Sequence, residues 1–209
     1  MKLDMERYKL LVLLILADLV FIYLHVLHVF TPRLPENLYS LSQDRGYAEF
    51  FQYTKQLWAA VLFLVIALKQ RRLLYFMFSL LFTYFLFDDS FEFHEQMGAL
   101  LADTLHLQPF FGLRAVDMGE LLVSVLFGGL FFAGIGITYL MSSPPRRRVA
   151  NQLILMVVIM AAFGILLDMG EIIIQDRGVS EVVKIMEEGG EMLVMSLITW
   201  FVFRLDLHG

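Results

Sequence analysis

The feature that most constrains this sequence is a succession of long apolar segments separated by short polar turns. A helix needs about 20 predominantly apolar residues to cross the hydrocarbon core of a bilayer. Six segments approach or exceed that length, and they occupy residues 10–30, 47–68, 73–95, 116–141, 149–174 and 182–205. Hydrophobic residues make up 59% of the chain, which favours an integral membrane protein over a soluble domain. The sequence therefore predicts an all-α, polytopic integral membrane helical bundle with six transmembrane helices in a single transmembrane domain, residues 1–209.

Basic residues cluster on one side of this predicted bundle. The clusters lie at residues 2–9, 69–72 and 146–148, and all three connect the same ends of the segments. Cytoplasmic loops of membrane proteins carry an excess of Lys and Arg, so we expect a multi-pass protein of an inner membrane with both termini cytoplasmic. Membrane lipids are then its surroundings. The net charge of -5 gives no indication of a nucleic acid partner.

The third segment shows that acidic side chains must be accommodated at one end of the bundle. Its uninterrupted apolar run, residues 73–87, is too short to cross a bilayer, and the sequence continues directly into acids at residues 88–95. A single charged side chain at the bilayer centre costs about 2.5–3.5 kcal/mol on insertion scales. We therefore expect these acids to be compensated by a partner.

In the predicted topology, acidic and histidine side chains recur at the outer end of every segment. Several of them are three residues apart, a spacing that places both on one helix face. The candidate metal ligands are His25, His28, Asp88, Asp89, Glu92, His94, Glu95, Asp117, Glu120, Asp168, Glu171, Glu188 and Glu191. If the helices pack as a bundle, these side chains form one polar layer in its outer half.

Crowded carboxylates in a low dielectric cannot all be ionised, and three arrangements relieve this. They bind a cation, they share protons, or they pair with basic residues such as Lys55 and Lys184. The number of acids favours a cation, and the plan resembles that of di-metal carboxylate bundles, although a Glu-x-x-His pair is missing. We expect a divalent metal ion as cofactor: oxygen ligands suit Mn²⁺ or Ca²⁺, and added imidazole favours Zn²⁺ or Fe.

Not every candidate has the same weight. His25 and His28 also fit an interfacial position facing lipid headgroups, and Glu188 also fits an ordinary helical ion pair with Lys184. Asp168 and Glu171 resist such readings best, because apolar sequence flanks them on both sides. Glu191, and Asp18 in the middle of the first segment, follow. An ionisable residue inside a membrane segment is by default a functional hypothesis.

Three functions remain open at this point. The first is a membrane-embedded metal-dependent enzyme that acts on a lipid or other amphipathic substrate, with Glu191 or Glu95 as the catalytic carboxylate that moves protons. The second is a cation-binding transporter, channel or sensor subunit. The third is a non-catalytic structural subunit, within a homo-oligomer or a larger membrane complex. The chain has no cysteine, so thiolate metal sites are excluded.

Overall fold

The computed structural model describes residues 2–110, 112–167 and 177–206, and every extended element of regular structure within those ranges is a helix. The helices are α1 (Lys2–Phe30), α2 (Tyr47–Gln70), α3 (Leu73–Phe91), α4 (Phe93–Thr104), α5 (Ala115–Leu140), α6 (Pro144–Ala162) and α7 (Arg177–Asp206). A π-helical turn, Phe163–Leu167, continues α6, and a single 3-10 turn, Asn37–Tyr39, lies between α1 and α2. The all-α prediction is confirmed.

Five helical stretches in the described ranges are long and apolar enough to cross a membrane. They are Tyr8–Phe30, Tyr47–Gln70, Leu73–Phe91, Ala115–Leu140 and Pro144–Leu167. The predicted sixth segment corresponds to α7, which has 30 residues. It does not belong to this set because Glu187, Glu188 and Glu191 interrupt its apolar sequence. The structure thus supports a multi-pass helical chain with five candidate spans, where the sequence analysis expected six.

Two short turns place consecutive helices side by side. Between α2 and α3, Arg71 adopts a left-handed conformation (φ 51°) that ends α2, and α3 begins two residues later. Between α5 and α6, Pro144 and Pro145 occupy the first turn of α6, where a missing backbone N–H costs nothing. These turns carry basic residues, so we call this end of the helices the basic end. The opposite end, where α1 ends and α2 begins, is called the acidic end.

The third helix is shorter than the sequence analysis expected. It ends at Phe91 rather than near residue 95, because Glu92 adopts a left-handed conformation (φ 52°) that a continuous helix excludes. A separate helix, α4, follows at once. Asp88 supports this break, since its Oδ1 accepts the backbone N–H of His94 in the first turn of α4 at 2.8 Å. Glu92 itself provides no side-chain cap for α4.

The last helix lies at the centre of the packing. α7 contacts α1, α2, α6 and the π turn, while α3 packs against α2 and α5, and α4 packs against α5. Two apolar clusters result. The larger one fills the basic half of the bundle and includes Phe63, whose ring stacks on the rings of Phe78 and Phe82. The smaller one, with Leu41 and Met192, lies near the acidic end, and a polar layer separates the two clusters.

Candidate functional site

A buried ion pair joins three helices in the polar layer. Lys55 of α2 places its Nζ 2.9 Å from Oδ1 of Asp18 in α1, and both side chains are 0% exposed. The same ammonium donates to the carbonyl oxygen of Met192 at 2.8 Å and lies 3.3 Å from Oγ of Ser196, both in α7. The Ser196 hydroxyl donates to Oδ2 of Asp18 at 2.5 Å. Three acceptors therefore surround the three protons of the ammonium.

This pair is the third of the expected arrangements, in which a basic residue compensates a buried acid. Transfer of each charge from water costs several kcal/mol, and the pair is tolerable only because additional hydrogen bonds complete it. The ring of Phe51, one turn earlier in α2, lies 4.8 Å from Lys55 Nζ and adds a cation–π contact. The network leaves Asp18 and Lys55 without access to water in this conformation.

A second polar group lies on the same helix towards the acidic end. The amide of Gln56 donates to Oδ2 of Asp89 in α3 at 2.5 Å, and the hydroxyl of Tyr53 donates to the Asp89 backbone oxygen at 3.1 Å. Glu49, one turn earlier, accepts the backbone N–H of Arg45. The side chains of α2 thus lead from the half-buried carboxylate of Glu49 inward to Lys55 in about two helical turns.

Glu188 lies one helical turn before Met192 in α7, on the acidic-end side of the hydrogen bond between Lys55 and the Met192 carbonyl oxygen. Two buried amide oxygens lie in the same region of α2. Oε1 of Gln52 and Oε1 of Gln56 accept no hydrogen bond from any residue that the structure describes.

The acidic end of α3 holds an ion pair between Asp88 and His94. Nδ1 of His94 lies 3.2 Å from Oδ2 of Asp88. Burial by itself would lower the pKa of His94, but the contact with Asp88 and the charges of Glu95 and Asp89 raise that pKa to about 9. His94 is therefore a cation at neutral pH and does not offer a neutral nitrogen to a metal. The side chain of Glu95 is exposed.

The two histidines of α1 face different partners. Nδ1 of His25 accepts the backbone N–H of Leu41 at 3.1 Å, so the proton of the neutral ring is on Nε2, which lies 3.8 Å from Oε2 of Glu181. Nδ1 of His28 lies 2.7 Å from the carbonyl oxygen of Leu34. Both rings hold the connection between α1 and α2 against the end of α1, and the structure does not bring them together as a pair.

The remaining described candidates are also separated. Glu92 lies 3.4 Å from Arg45, and Asp117 is held by the guanidinium of Arg114, with Nη2 at 2.6 Å from its Oδ1. Asp117 and Arg114 cap the start of α5. The side chain of Glu120 lies against Gly98 of α4.

Glu191 lies against the π turn. Its carboxylate contacts the position where a side chain on Gly164 would lie, and the ring of Phe163 packs in the same way on Gly190. Asp168 and Glu171, the candidates with the strongest sequence argument, follow this turn but lie outside the described residues.

A metal-binding cluster is not found among the residues that the structure describes. No three His, Cys, Asp or Glu side chains in residues 2–110, 112–167 and 177–206 are arranged to hold a metal ion. The physical reason is visible residue by residue, because Asp18, Asp88, Glu92 and Asp117 each have a basic partner. A spacing of three residues along a helix predicted that the acids share one face. In the structure, however, a neighbouring basic side chain pairs with several of these acids one at a time.

Sequence reasoning missed the contributions of Gln56 and Ser196. Neither is ionisable, so neither stands out beside the acids and histidines of the same segments. Lys55 gave a stronger signal, because a lysine two turns inside a predicted membrane segment requires an acidic partner. Asp18 lies at a comparable depth in the preceding segment, so the sequence alone could have predicted the Asp18–Lys55 ion pair.

The helices and the buried polar layer define a class of fold: an all-helical, multi-pass chain with five candidate membrane spans. Residues 10–207 match the model of a family described as "Domain of unknown function (DUF8692)", and the chain belongs to this family. No curated protein matches the chain, and no solved structure matches it.

Proposed function

We propose that this chain is an integral membrane protein with six spans and cytoplasmic termini that binds a cation or a proton from its outer side, in the manner of a transporter or sensor subunit. The Asp18–Lys55 pair is its responding element. In this proposal α7 is the sixth span, because Glu191 lies against Gly164 of the π turn and Glu181 lies 3.8 Å from His25 of α1. The acidic end then faces outward, since the Lys- and Arg-rich turns lie at the opposite end.

The observation that carries the proposal is the complete burial of Lys55 and Asp18. A buried ion pair is a poor way to hold helices together, because well-packed hydrophobic residues of similar volume are often as stabilising or more so. Ionisable residues inside membrane segments instead mark proton relays and ion pathways. A pair that bonds to α1, α2 and α7 at once also couples any change in its charge to the packing of three helices.

The distribution of polar groups supports binding from one side. Gln52, Gln56 and Lys55 extend from the acidic end to the middle of α2. Beyond them, Ala59 and the stacked rings of Phe63 and Phe82 are fully buried. This counts against an open channel through a single protomer and favours a site that is loaded from the acidic end.

The pair would respond to a change in charge. Protonation of Asp18 would remove its attraction for Lys55 and leave the ammonium with two neutral acceptors, Met192 O and Ser196 Oγ. Loss of one member of a buried pair typically costs about 3–5 kcal/mol, which is enough to shift an equilibrium between two packings. The contact between α1 and α7 is where such a shift would begin.

Tryptophan fluorescence tests this proposal. The two tryptophans are Trp58, one turn after Lys55 in α2, and Trp200, one turn after Ser196 in α7. We expect the fluorescence of the purified chain to change with pH or cation concentration, and we expect the variant Asp18→Asn/Lys55→Met to lose this change while remaining folded. Equal responses of the two proteins, or no response in either, would overturn the proposal.

A metal-dependent enzyme acting on a lipid is the second candidate. It is favoured by the position of Glu191 against a π turn, since π turns occur frequently at functional sites. Its divalent ion would be held by Asp168, Glu171 and Glu191. Elemental analysis of protein purified without chelators tests it: about one equivalent of metal is expected, and the variant Asp168→Asn/Glu171→Gln should lose it. Metal-free wild-type protein removes this candidate.

A structural subunit is the third candidate, and the fluorescence experiment also identifies it. In that case, replacement of Asp18 and Lys55 would change the stability of the chain without changing any response to pH or cations. This candidate rests on the same hydrogen bonds among Asp18, Lys55 and Ser196, which join α1, α2 and α7.

A further inference from the structure

We propose that Gln52, Gln56, Asp89 and Glu188 form an oxygen-lined binding site for one hard cation of the Ca²⁺ class, at the junction of α2, α3 and α7. This inference rests on the proposed function and deepens it, because it names the place where the cation binds. The site is distinct from the Asp18–Lys55 pair, whose ammonium already has three acceptors.

Two buried amide oxygens of α2 lack a hydrogen-bond donor among the described residues. The side chains of Gln52 and Gln56 are 7% and 2% exposed, and Oε1 of each accepts no hydrogen bond from the described residues. An unsatisfied buried acceptor costs about 1–3 kcal/mol. The two residues are four apart on α2, so their side chains share one face of the helix. Both oxygens therefore require a positive group or a donor in the same region.

Acidic side chains of α3 and α7 accompany these two amides. Asp89 is fixed by the amide of Gln56, with the backbone of α3 held by Tyr53. Glu188 lies one turn before Met192 in α7, and because the Met192 carbonyl oxygen accepts from Lys55, this places Glu188 at the level of Gln52 in α2. Lys55 is the buried cation nearest in α2, but its ammonium is bonded to Asp18. A bound cation supplies the missing positive charge.

The donor set indicates which cation fits. Carboxylate and amide oxygens are hard ligands, and together with water they match the six to eight oxygens that Ca²⁺ prefers. Mg²⁺ fits less well because it demands octahedral geometry and retains most of its water. Two carboxylates balance one divalent charge. This set of two acids and two amides differs from a site of three acidic or histidine ligands, which the described residues lack.

Calcium binding to the full-length protein tests the inference. We would deplete the purified chain with a chelator and measure binding of radioactive Ca²⁺ by equilibrium dialysis at constant ionic strength. We expect one saturable equivalent, with competition by Na⁺ or Mg²⁺ only at concentrations at least tenfold higher. Absence of saturable Ca²⁺ binding would overturn the inference, including the outcome in which pH alone changes the protein because protons occupy the acids.

Variants then locate the site. Gln52→Met/Gln56→Met removes both oxygens at nearly constant volume, and Asp89→Asn removes one charge; each should weaken Ca²⁺ binding at least tenfold. The matched controls Asp103→Asn and Gln108→Met change exposed residues and should bind like the wild type. Equal affinity of the site variants and the controls would overturn the inference. If the methionine variant fails to fold, Asp89→Asn and Glu188→Gln decide.

The failure of this inference differs from failure of the proposed function. If Ca²⁺ binds at these residues but the tryptophan fluorescence does not respond to it or to pH, the site stands and the proposed function falls. If the fluorescence responds to pH through Asp18 and Lys55 but no cation binds, the proposed function stands and the site falls.

Discussion

Lys55 is the residue with the greatest consequence for the rest of the bundle. Its fully buried ammonium contacts side-chain or backbone oxygens of α1 and α7, so one side chain of α2 helps to set the distance to two other helices. A charge in this position cannot be lost without leaving its partner uncompensated. The stability of the chain should therefore depend on Lys55 and Asp18 as a unit.

Single and double replacements test this dependence. Lys55→Met or Asp18→Asn alone should reduce the free energy of unfolding by about 3–5 kcal/mol, since each leaves one buried charge unpaired. The double variant should recover most of this loss. The measurement is denaturant or thermal unfolding in detergent, with the exposed-residue variant Asp103→Asn as control. Additive losses in the double variant would show that the two charges are not coupled.

His94 predicts a pH dependence of stability. The pKa of its imidazole is raised from 6.5 to about 9 by Asp88, Glu95 and Asp89, against the effect of burial. The folded state therefore binds the proton more tightly than the unfolded state. The resulting stabilisation should be complete below pH 6.5 and should be lost as the pH rises towards 9.

The comparison with His94→Gln isolates this effect. The difference in unfolding free energy between wild type and His94→Gln should decrease as the pH rises from 6.5 to 9. His106→Gln, a change at an exposed histidine, serves as the control and should show no such trend. A constant difference for His94→Gln across this range would contradict the prediction.

At the scale of helices, the contact between α4 and α5 depends on two glycines. A Cβ built on Gly98 would lie 2.6 Å from the backbone nitrogen of Glu120, and one on Gly119 would overlap the backbone of Gly98. Small residues of this kind allow two helix backbones to approach closely. Because the obstructing atoms belong to backbone, the helices themselves would have to move apart.

A pair of alanine variants tests this contact. Gly98→Ala should destabilise the chain by about 1–3 kcal/mol, as overpacking does. Gly128→Ala in α5 is the matched control, since a Cβ there meets nothing within 4 Å, and it should be neutral or stabilising by about 0.5–1 kcal/mol. Both are measured by unfolding in detergent. Equal effects of the two changes would show that the close approach of α4 and α5 contributes nothing.

The helices that sequence reasoning located well are those bounded by strong signals. Hydrophobic length placed α5, predicted at residues 116–141, and the basic turn at residues 69–72 placed the start of α3. The prolines at residues 144 and 145 marked the break before α6, but α6 begins at Pro144 and not near residue 149, because proline is well accommodated in the first turn of a helix. The end of α3 was predicted too late in the sequence. Asp88 accepts the backbone N–H of His94 across the helix break at Glu92, and local sequence patterns do not reveal such a hydrogen bond. No periodicity in the sequence distinguishes Glu92 in a left-handed conformation from Glu92 in a helix.

At the scale of the whole molecule, the candidate site was predicted only in part. The acidic and polar side chains do concentrate towards one end, but Asp88, Glu92 and Asp117 are each bound individually by a basic side chain. Which acid meets which base depends on the packing of α7 between α1 and α2, and that packing joins residues such as Asp18 and Ser196, far apart in the sequence. A single sequence carries no direct record of such a neighbour.

The proposed topology makes a prediction for the complete chain. The sequence has no cysteine, so single cysteines can be introduced without a background. In intact cells, a membrane-impermeant maleimide should label Ser42→Cys, at the acidic end, and should leave Ser143→Cys, at the basic end, unlabelled until the membrane is opened. A cysteine appended after Gly209 should behave like Ser143→Cys if the chain has six spans. Labelling of that cysteine in intact cells would support five.

The rings of Phe63, Phe78 and Phe82 close the interior of the bundle on the side towards the basic end. In the proposed function, a cation or proton that enters near Glu49 would meet these rings about 12 Å beyond Lys55, two helical turns further along α2. The cation or proton would then have to leave by the acidic end as well, unless the three rings move apart. In the proposed function, the protein would therefore sense the compartment outside the acidic end, and transport to the other side would require a rearrangement of the three phenylalanines.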